Sequence, residues 1–332
     1  MKALRTHAIG GPETLTLDEV DVPTPGKGEV LVDVKACAIN FPDTLMIRDL
    51  YQFKPERPYA PGGEIAGVIE AIGEGVEGYA VGDPVMSGIG NGGLSEKVVV
   101  PAGRMFPVPE GVPFEKAASL LLTYGTTIHG LKDRGHIKQG DVVLILGAAG
   151  GVGLSAVELA KAYGARVVAA VSTEEKGEVA RRAGADEVVI YPKDEMDKAA
   201  SKELAGAFKA ACGPAGANIV YDIVGGQYSE PALRSIAWEG KFLVVGFPAG
   251  IAKMPLNLTL LKSCDICGVF WGAFTAREPV KFKAQVEELF QLMKDGKIDP
   301  LVSETYPLER GGEAIAKLES RQAVGKLVVT MD

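Results

Sequence analysis

The sequence predicts an α/β protein with two parts, a β-rich region and a doubly wound parallel sheet. Between Val142 and Val269, buried-strand runs alternate with helical patterns, as expected of a parallel sheet covered by helices. Before about Pro109, short apolar runs are instead separated by turn clusters, which is typical of β-rich structure. These two observations define the fold class.

The β-rich region comes first in the chain. Turn clusters such as Pro23-Thr24-Pro25-Gly26 and Gly82-Asp83-Pro84 divide it into short strands. The predicted strands are Leu15–Val22, Val30–Ile39, Ile65–Ile72 and Lys97–Val100. A helical pattern over Phe114–Leu131 then leads into the second region.

A glycine-rich turn, Gly147–Gly153, is the most informative stretch of the sequence. It follows a five-residue apolar strand, Val142–Leu146, and precedes a helical pattern and a second buried strand, Arg166–Val171. Such a unit directs backbone N–H groups and the positive end of a helix toward a diphosphate. Only residues without side chains let that group approach closely. The predicted dinucleotide-binding residues are Gly150, Gly151 and Val152.

The end of the second strand indicates which dinucleotide binds. Units that bind NADH usually carry an acidic residue there, which accepts hydrogen bonds from the ribose hydroxyls. This sequence has Ser172 at that point, and Lys176 supplies a cation within reach of a 2′-phosphate. We therefore predict NADPH. Two alternatives stay open: Lys176 is an ordinary solvated lysine, or a later strand end places Glu174 at the ribose.

The alternation continues after this unit and then changes. Strands are predicted at Glu187–Tyr191, Ile219–Val224 and Phe242–Phe247, and helices are predicted at Asp197–Ala211 and around Tyr228–Ala237. Beyond Val269, two helices and a last strand are predicted at Glu278–Lys294, Gly311–Glu319 and Lys326–Thr330. We interpret this tail as returning to the first region. The predicted domains are residues 1–122 with 270–332, and residues 123–269.

Composition narrows the class of protein. The 332 residues are 47% hydrophobic and 23% charged, which is ordinary for a globular enzyme. No apolar run reaches the roughly 18 residues of a membrane span, and the N-terminus lacks the pattern of a signal peptide. A net charge of −8 without a basic block argues against nucleic-acid binding. Four cysteines do not make a disulfide framework, so we expect a cytoplasmic protein.

Six motifs give the chain a family resemblance. They are Asn40-Phe41-Pro42-Asp43-Thr44, Pro61-Gly62-Gly63-Glu64-Ile65-Ala66-Gly67, Thr123-Tyr124-Gly125-Thr126, Ala148-Ala149-Gly150-Gly151-Val152-Gly153, Val220-Tyr221-Asp222-Ile223-Val224-Gly225 and Leu318-Glu319-Ser320-Arg321. In this order, they resemble the zinc-free quinone oxidoreductase (zeta-crystallin-like) branch of the medium-chain dehydrogenase/reductase superfamily. The resemblance implies a GroES-like catalytic domain, a Rossmann NADPH-binding domain and a homodimer.

Residue types decide the zinc question within this resemblance. In zinc-dependent relatives, Cys stands at the position of Asn40 and His at that of Gly63, and neither replacement is a zinc ligand. Residues 85–98 contain no cysteine, so the structural zinc lobe is also missing. Without a Lewis acid, an alcohol substrate has nothing to stabilise its alkoxide. The chemistry that remains is hydride delivery to an acceptor that is already electrophilic, such as a quinone or an enone.

The resemblance also implies the residues of the catalytic site. Asn40, Tyr51 and Thr126 match positions that line the nicotinamide site, where an amide and hydroxyls orient the ribose and the substrate carbonyl. The alternatives are that Asn40 caps a turn, that Thr126 bonds its own helix, and that Tyr51 stacks without donating. Leu45 replaces a tyrosine common in some relatives, so substrate specificity does not transfer.

Further cofactor contacts are implied at five positions. Tyr191 and Arg321 match positions near the adenosine 2′-phosphate, where they would join Ser172 and Lys176, although Arg321 also suits a plain surface position. The other implied contacts are Phe247, Phe270 and Trp271, of which the last two also suit simple core packing.

Three other features have simpler interpretations. Cys264 and Cys267 form a C-x-x-C pair without a second pair at zinc spacing, so we expect buried reduced thiols in a buried strand. His129 lies on an apolar helix and is expected to have a core or supporting role. Glu64 is expected to be a buried structural acid.

The predicted function is hydride transfer from NADPH to a quinone or other conjugated carbonyl. A 2-alkenal or enoyl-CoA reductase of the same family is the nearest alternative, although no basic cluster that would suit a CoA stands out. A non-catalytic NADPH-binding or RNA-binding role is a further alternative. The glycine turn with Asn40, Tyr51 and Thr126 favours an enzyme, and the acidic charge disfavours RNA.

Overall fold

The computed structural model describes residues 1–331, which form two compact units. One unit comprises Met1–Leu122 and Pro300–Asp332, and the other comprises Thr123–Asp299. Residues 270–299 lie with the sheet-forming second unit, whereas the sequence assigned them to the first, because their two helices pack within that second unit.

The first unit is the β-rich region. Its strands before the boundary are β1 (Lys2–Thr6), β2 (Leu15–Glu19), β3 (Glu29–Ala38), β4 (Glu64–Ile72), β5 (Pro84–Gly88), β6 (Lys97–Pro101) and β7 (Met105–Pro107). Its helices there are α1 (Phe41–Met46) and α2 (Phe114–Ala117), and α3 (Leu121–Ile128) crosses the boundary. The long strands β3 and β4 pair antiparallel and bury alternating valines and isoleucines, among them Val30, Val32, Val34, Ile65 and Ile69.

The second unit is the doubly wound sheet. Its strands are β8 (Val142–Leu146), β9 (Arg166–Val171), β10 (Glu187–Ile190), β11 (Ala217–Asp222), β12 (Ile236–Val244) and β13 (Asp265–Gly268). Its helices after α3 are α4 (Gly151–Ala162), α5 (Glu174–Arg182), α6 (Lys198–Cys212), α7 (Ser229–Arg234), α8 (Asn257–Lys262), α9 (Trp271–Arg277) and α10 (Pro279–Lys294).

The strand order of this sheet is the order found in dinucleotide-binding domains. All pairs are parallel, in the order β10-β9-β8-β11-β12-β13. Strands β9 and β10 are therefore added on one side of β8, and β11, β12 and β13 on the other, so the strand order reverses between β8 and β11. Ligands of such sheets bind beyond the carboxyl ends of the strands at this reversal. The glycine turn follows β8, so it lies where the topology directs a cofactor.

The tail completes the first unit. It contains β14 (Val302–Pro307), α11 (Gly311–Glu319) and β15 (Lys326–Thr330). β15 pairs antiparallel with β3, and β14 pairs parallel with β15. The chain's last strand thus becomes part of the sheet that its first hundred residues build, in the order β14-β15-β3-β4-β5-β7.

Four sequence predictions need correction. The predicted helix over 114–131 is interrupted by a turn after α2, and it ends in a π-helical segment, His129–Arg134. The predicted helix 228–237 ends at Arg234, because Ile236 and Ala237 already belong to β12. β13 is an edge strand with mostly exposed side chains rather than a buried one. The strand predicted over Phe242–Phe247 is longer at its start and ends earlier, because β12 runs from Ile236 to Val244.

Candidate functional site

The glycine turn has the geometry of a diphosphate cradle. Gly147 has φ +73°, in the left-handed region that glycine adopts at little cost. A Cβ at Gly153 would lie 2.1 Å from the Gly147 carbonyl oxygen, so helix and turn pack as closely as glycine allows. Gly150 caps α4 without a side-chain acceptor. The N–H groups of the first turn, which includes Gly151 and Val152, have no intrahelical partner, and such groups can bind an anion.

The end of β9 supports the predicted preference for a phosphate. The strand ends at Val171, and Ser172 is the next residue, half-buried. Glu174 begins α5 and is exposed, so the later strand end that would bring it to the ribose does not occur. Lys176 is half-buried, and burial together with the charge of Lys193 lowers the pKa of its ammonium. Two neighbouring cations, one of them partly desolvated, would attract an anion.

The aromatic side of this region is built around Tyr191. It directly follows β10, is 8% exposed, and packs against Tyr228 with ring centroids 4.6 Å apart. Phe247 is half-exposed, and its loop lies against Gly225. A Cβ added to Gly225 would lie 2.8 Å from the Cβ of Phe247. The loops that follow β11 and β12 therefore touch, next to the reversal between β8 and β11.

In the first unit, Asn40 is the centre of a buried polar network. It precedes α1, and its side-chain nitrogen donates to Glu64 Oε2 at 3.0 Å and to the Ala38 carbonyl at 3.2 Å. Its side-chain oxygen accepts from Lys326 Nζ at 2.5 Å. Asn40 and Lys326 are each 5% exposed, and Glu64 is 1% exposed. The network joins residues about 290 positions apart in sequence because β15 pairs with β3.

Asp43 closes the network on the other side. Its carboxylate accepts from the backbone N–H of Asn40 at 2.7 Å and of Gly62 at 3.1 Å. Burial raises the pKa of this carboxyl to about 6, although both hydrogen bonds favour the ionised form. Burial also raises the pKa of Glu64 and lowers that of Lys326, while their mutual attraction opposes both shifts. The Cys37 thiol nearby has a strongly raised pKa, again through burial.

Tyr51 lies within the electrostatic reach of this network. Its phenol is partly buried, and burial followed by the charge of Asp43 raises its pKa above the ordinary value. The hydroxyl therefore stays protonated at neutral pH and can donate a hydrogen bond. Asn40 therefore bonds Asp43 directly, and the charge of Asp43 also acts on Tyr51.

Thr126 lies in the second unit on α3 and is half-buried. Its neighbour Gly125 packs against Trp271, whose indole nitrogen lies 2.7 Å from where a Gly125 Cβ would be. Trp271 also packs edge-on against Phe282, while Phe270 is 58% exposed. The indole N–H is buried without a hydrogen-bond partner, which marks this surface of the second unit as a place for an acceptor group.

Family models match both units. The model described as alcohol dehydrogenase GroES-like domain matches residues 26–110, and the model described as zinc-binding dehydrogenase matches residues 151–294. The chain is 34% identical to quinone oxidoreductase-like protein 2 of Rattus norvegicus, over 96% of this chain and 89% of that one. It is 30% identical to human quinone oxidoreductase, over 100% and 98% of the two chains.

The chain belongs to the quinone oxidoreductase branch of the medium-chain dehydrogenase/reductase superfamily. Solved structures agree. Escherichia coli quinone oxidoreductase complexed with NADPH matches with a TM-score of 0.90 and 30% identity, covering 100% of both chains. A mycobacterial protein complexed with NADPH matches with a TM-score of 0.91 and 34% identity, also covering 100% of both chains. The predicted family and fold class are confirmed.

The structure also places four further residues that the sequence analysis considers. Arg321 follows α11 in the first unit, is exposed, and has φ +59°. His129 is buried, with Nδ1 2.8 Å from Asp133 Oδ2 and its ring stacked on Phe274, a supporting position. Cys264 is buried and Cys267 half-buried, and both are free thiols.

Sequence reasoning missed three residues of the site. Asp43 and Lys326 are buried charges in the Asn40 network, and Lys193 is the second cation beside Lys176. The sequence carries a signal for both Asp43 and Lys193: Asp43 stands inside the motif Asn40–Thr44, and Lys193 follows Tyr191 by two positions. Lys326 opens a strand that is otherwise apolar, and a lone lysine in such a run is a signal of a buried partner.

Residues 1–331 contain neither a candidate membrane span nor a candidate metal cluster. Across residues 1–331, no helix is long and apolar enough to cross a membrane. Within the same range, no three His, Cys, Asp or Glu side chains are grouped so that they could hold a metal ion.

Proposed function

We propose that this NADPH-dependent oxidoreductase transfers hydride to a quinone or another conjugated carbonyl compound without a metal. The observation that carries the proposal is the environment of Asn40. A buried ammonium, Lys326, is hydrogen-bonded where zinc-dependent relatives need a metal ligand. An acceptor reduced at such a site must already be electrophilic, because no Lewis acid polarises it.

The donor groups around Asn40 do not fit zinc. The amide nitrogen faces Glu64, and Gly63 has no side chain. The raised pKa of the Cys37 thiol opposes the thiolate that zinc requires. The Lys326 ammonium, 3.7 Å from Glu64 Oε2, already supplies the positive charge that balances this carboxylate. We therefore propose no step through a metal.

NADPH fits the second unit. Its diphosphate would bind at the N–H groups of Gly151 and Val152, and Gly150 leaves room for it. The 2′-phosphate would bind at Ser172 and Lys176, with Tyr191 and Arg321 as further contacts, and Lys193 adds positive charge. Phe247, Phe270 and Trp271 would pack against the rest of the cofactor. When bound, the cofactor supplies the hydride.

The chain supplies hydrogen bonds to the acceptor. As hydride arrives, negative charge develops on the acceptor oxygen, and a donor aimed at that oxygen lowers the barrier. Tyr51 is the proposed donor, because its raised pKa keeps the phenol protonated. Thr126 is the proposed second hydroxyl, and solvent provides the final proton.

The same proposal includes a cytoplasmic homodimer. The edge strand β13 leaves Ile266 36% exposed, and Leu260 and Leu261 on the preceding helix are 79% and 63% exposed. An apolar sheet edge of this kind is usually covered by another chain.

Oxidation of NADPH with a panel of acceptors tests the proposal. The panel includes 1,4-benzoquinone, 9,10-phenanthrenequinone, an alkenal and crotonyl-CoA. Turnover of the quinones with NADPH supports the proposal, and turnover only of the thioester moves the chain to the enoyl reductases.

A further inference from the structure

The Asn40 amide has only one orientation that satisfies its neighbours. A lysine ammonium has donors only, and a carboxylate has acceptors only. The atom 2.5 Å from Lys326 Nζ must therefore be the amide oxygen, and the atom 3.0 Å from Glu64 Oε2 must be the nitrogen. Turning the amide over would place N–H groups against the ammonium and oxygen against the carboxylate.

In this orientation, every N–H group of Asn40 already has a hydrogen-bond partner. Its nitrogen has two N–H groups, and these bond to Glu64 and to the Ala38 carbonyl. Its backbone N–H bonds to Asp43. The side-chain oxygen has two lone pairs: Lys326 takes one, and the backbone N–H of Asp43 faces the same oxygen in the capping box of α1. The group that Asn40 presents to an incoming ligand is therefore this acceptor oxygen, because a donor becomes available only by breaking a buried hydrogen bond.

The cation Lys326 and the anion Glu64, which flank the amide, hold this arrangement. Lys326 Nζ also donates to the Ile39 carbonyl at 3.1 Å, so the ammonium is anchored by the backbone next to Asn40. Glu64 Oε1 accepts the backbone N–H of Leu122 at 2.8 Å, so the carboxylate is anchored as well. An amide held between two anchored charges resists rotation.

We propose that Lys326 is a positioning residue, which fixes Asn40 as a hydrogen-bond acceptor in the catalytic site. This inference rests on the proposed function and sharpens it. Asn40 would accept from a hydroxyl, such as that of the nicotinamide ribose, and would not donate to the substrate carbonyl. Donation to that carbonyl is left to hydroxyl groups, with Tyr51 first among them.

The direct test measures the amide in the wild-type protein. The chain has four asparagines, so ¹⁵N-asparagine labelling gives a readable spectrum, and Asn40→Ser assigns the signal. Bonded to Glu64 and Ala38, both N–H protons of Asn40 should exchange slowly with water, with or without NADPH. Exchange as fast as that of an exposed asparagine would overturn the orientation.

Variants separate positioning from simple stability. Lys326→Met leaves Glu64 buried without its cation, so both stability and kcat should fall. Lys326→Met with Glu64→Gln removes both charges. The double variant should regain most of its melting temperature, yet its kcat should stay about tenfold below wild type, with KM for the quinone changed less than about threefold. Lys326→Arg keeps a donor and should retain more of kcat than Lys326→Met.

Control measurements make each outcome decisive. Lys97→Met removes a lysine paired with Glu70 at the surface of the same unit, and it should change kcat less than about twofold. Full kcat in a stable double variant would overturn the positioning role. An unfolded double variant leaves the exchange measurement to decide. Absence of wild-type turnover with every acceptor would instead count against the proposed function.

Discussion

The Gly153 α-carbon is so close to the Gly147 carbonyl oxygen that a Cβ on Gly153 would lie 2.1 Å from it. Gly153→Ala therefore forces α4 away from β8. We expect a fall in melting temperature of roughly 5 °C or more and loss of NADPH binding.

Gly150→Ala is the matched control for that change. Its nearest contact would be 3.7 Å, and its backbone is extended, so stability should be nearly unchanged. The methyl group would still crowd the diphosphate, and NADPH affinity should fall. Equal melting temperatures for the two variants, measured by calorimetry, would contradict this account of the turn.

Lys176→Glu tests the phosphate site. The variant replaces a cation beside Lys193 with an anion, so it should weaken NADPH by about a hundredfold and NADH by less than about threefold. Fluorescence titration gives both dissociation constants. Lys202→Glu, on the exposed face of α6, is the control for general charge effects and should alter neither constant. Equal weakening of NADPH and NADH would refute the assignment.

Tyr51→Phe tests the proposed donor. Loss of the phenol should lower kcat by about ten- to a hundredfold, with little change in the dissociation constant of NADPH. Because the pKa of Tyr51 is raised, wild-type kcat should show no ionisation of this phenol between about pH 6 and pH 9. Steady-state kinetics across that range measures both effects. Unchanged kcat in the variant would move the donor role to Thr126.

Asp43 predicts a pH dependence of stability. Its folded pKa of about 6 exceeds its ordinary value of 3.8, so the folded protein binds a proton more tightly than the unfolded chain. This contribution is fully present below about pH 4 and is lost as the pH rises through about 6. Its size is on the order of 3 kcal/mol.

Asp43→Asn cannot titrate, so the comparison isolates this group. The excess of the wild-type melting temperature over that of the variant should shrink as the pH rises from about 4.5 to 7. Differential scanning calorimetry measures it. A difference that stays constant or grows would contradict the raised pKa.

Ile266→Lys tests the homodimer. A charge at the exposed edge strand β13 should halve the mass measured by light scattering, because it would be buried against the partner. Val280→Lys, on an 83% exposed residue of α10, should leave the mass unchanged. A monomeric wild type would remove this part of the proposal.

Sequence reasoning reached furthest where periodicity and local chemistry coincide. The strands Val142–Leu146 and Arg166–Val171 and the helix Gly311–Glu319 were predicted with the bounds that the structure has. Apolar runs between turns fix such elements locally. The turn after α2 and the π-helical segment depend on packing, which a helical pattern does not encode.

The candidate site likewise has local features that the sequence predicts and a network that depends on long-range strand pairing. The glycine turn and Ser172 could be predicted, because a strand end and a tight turn are local features. The network of Lys326, Glu64 and Asn40 could not, because it requires the pairing of β15 with β3. A single sequence does not contain that register.

Initial rates of NADPH and NADH oxidation, followed at about 340 nm with the acceptor panel and with metal-chelated protein, test the central claim most directly. We expect fast reduction of the quinones with NADPH, slower turnover with NADH, and no loss of rate after chelation. Quinone turnover that disappears on chelation and returns with zinc would contradict it.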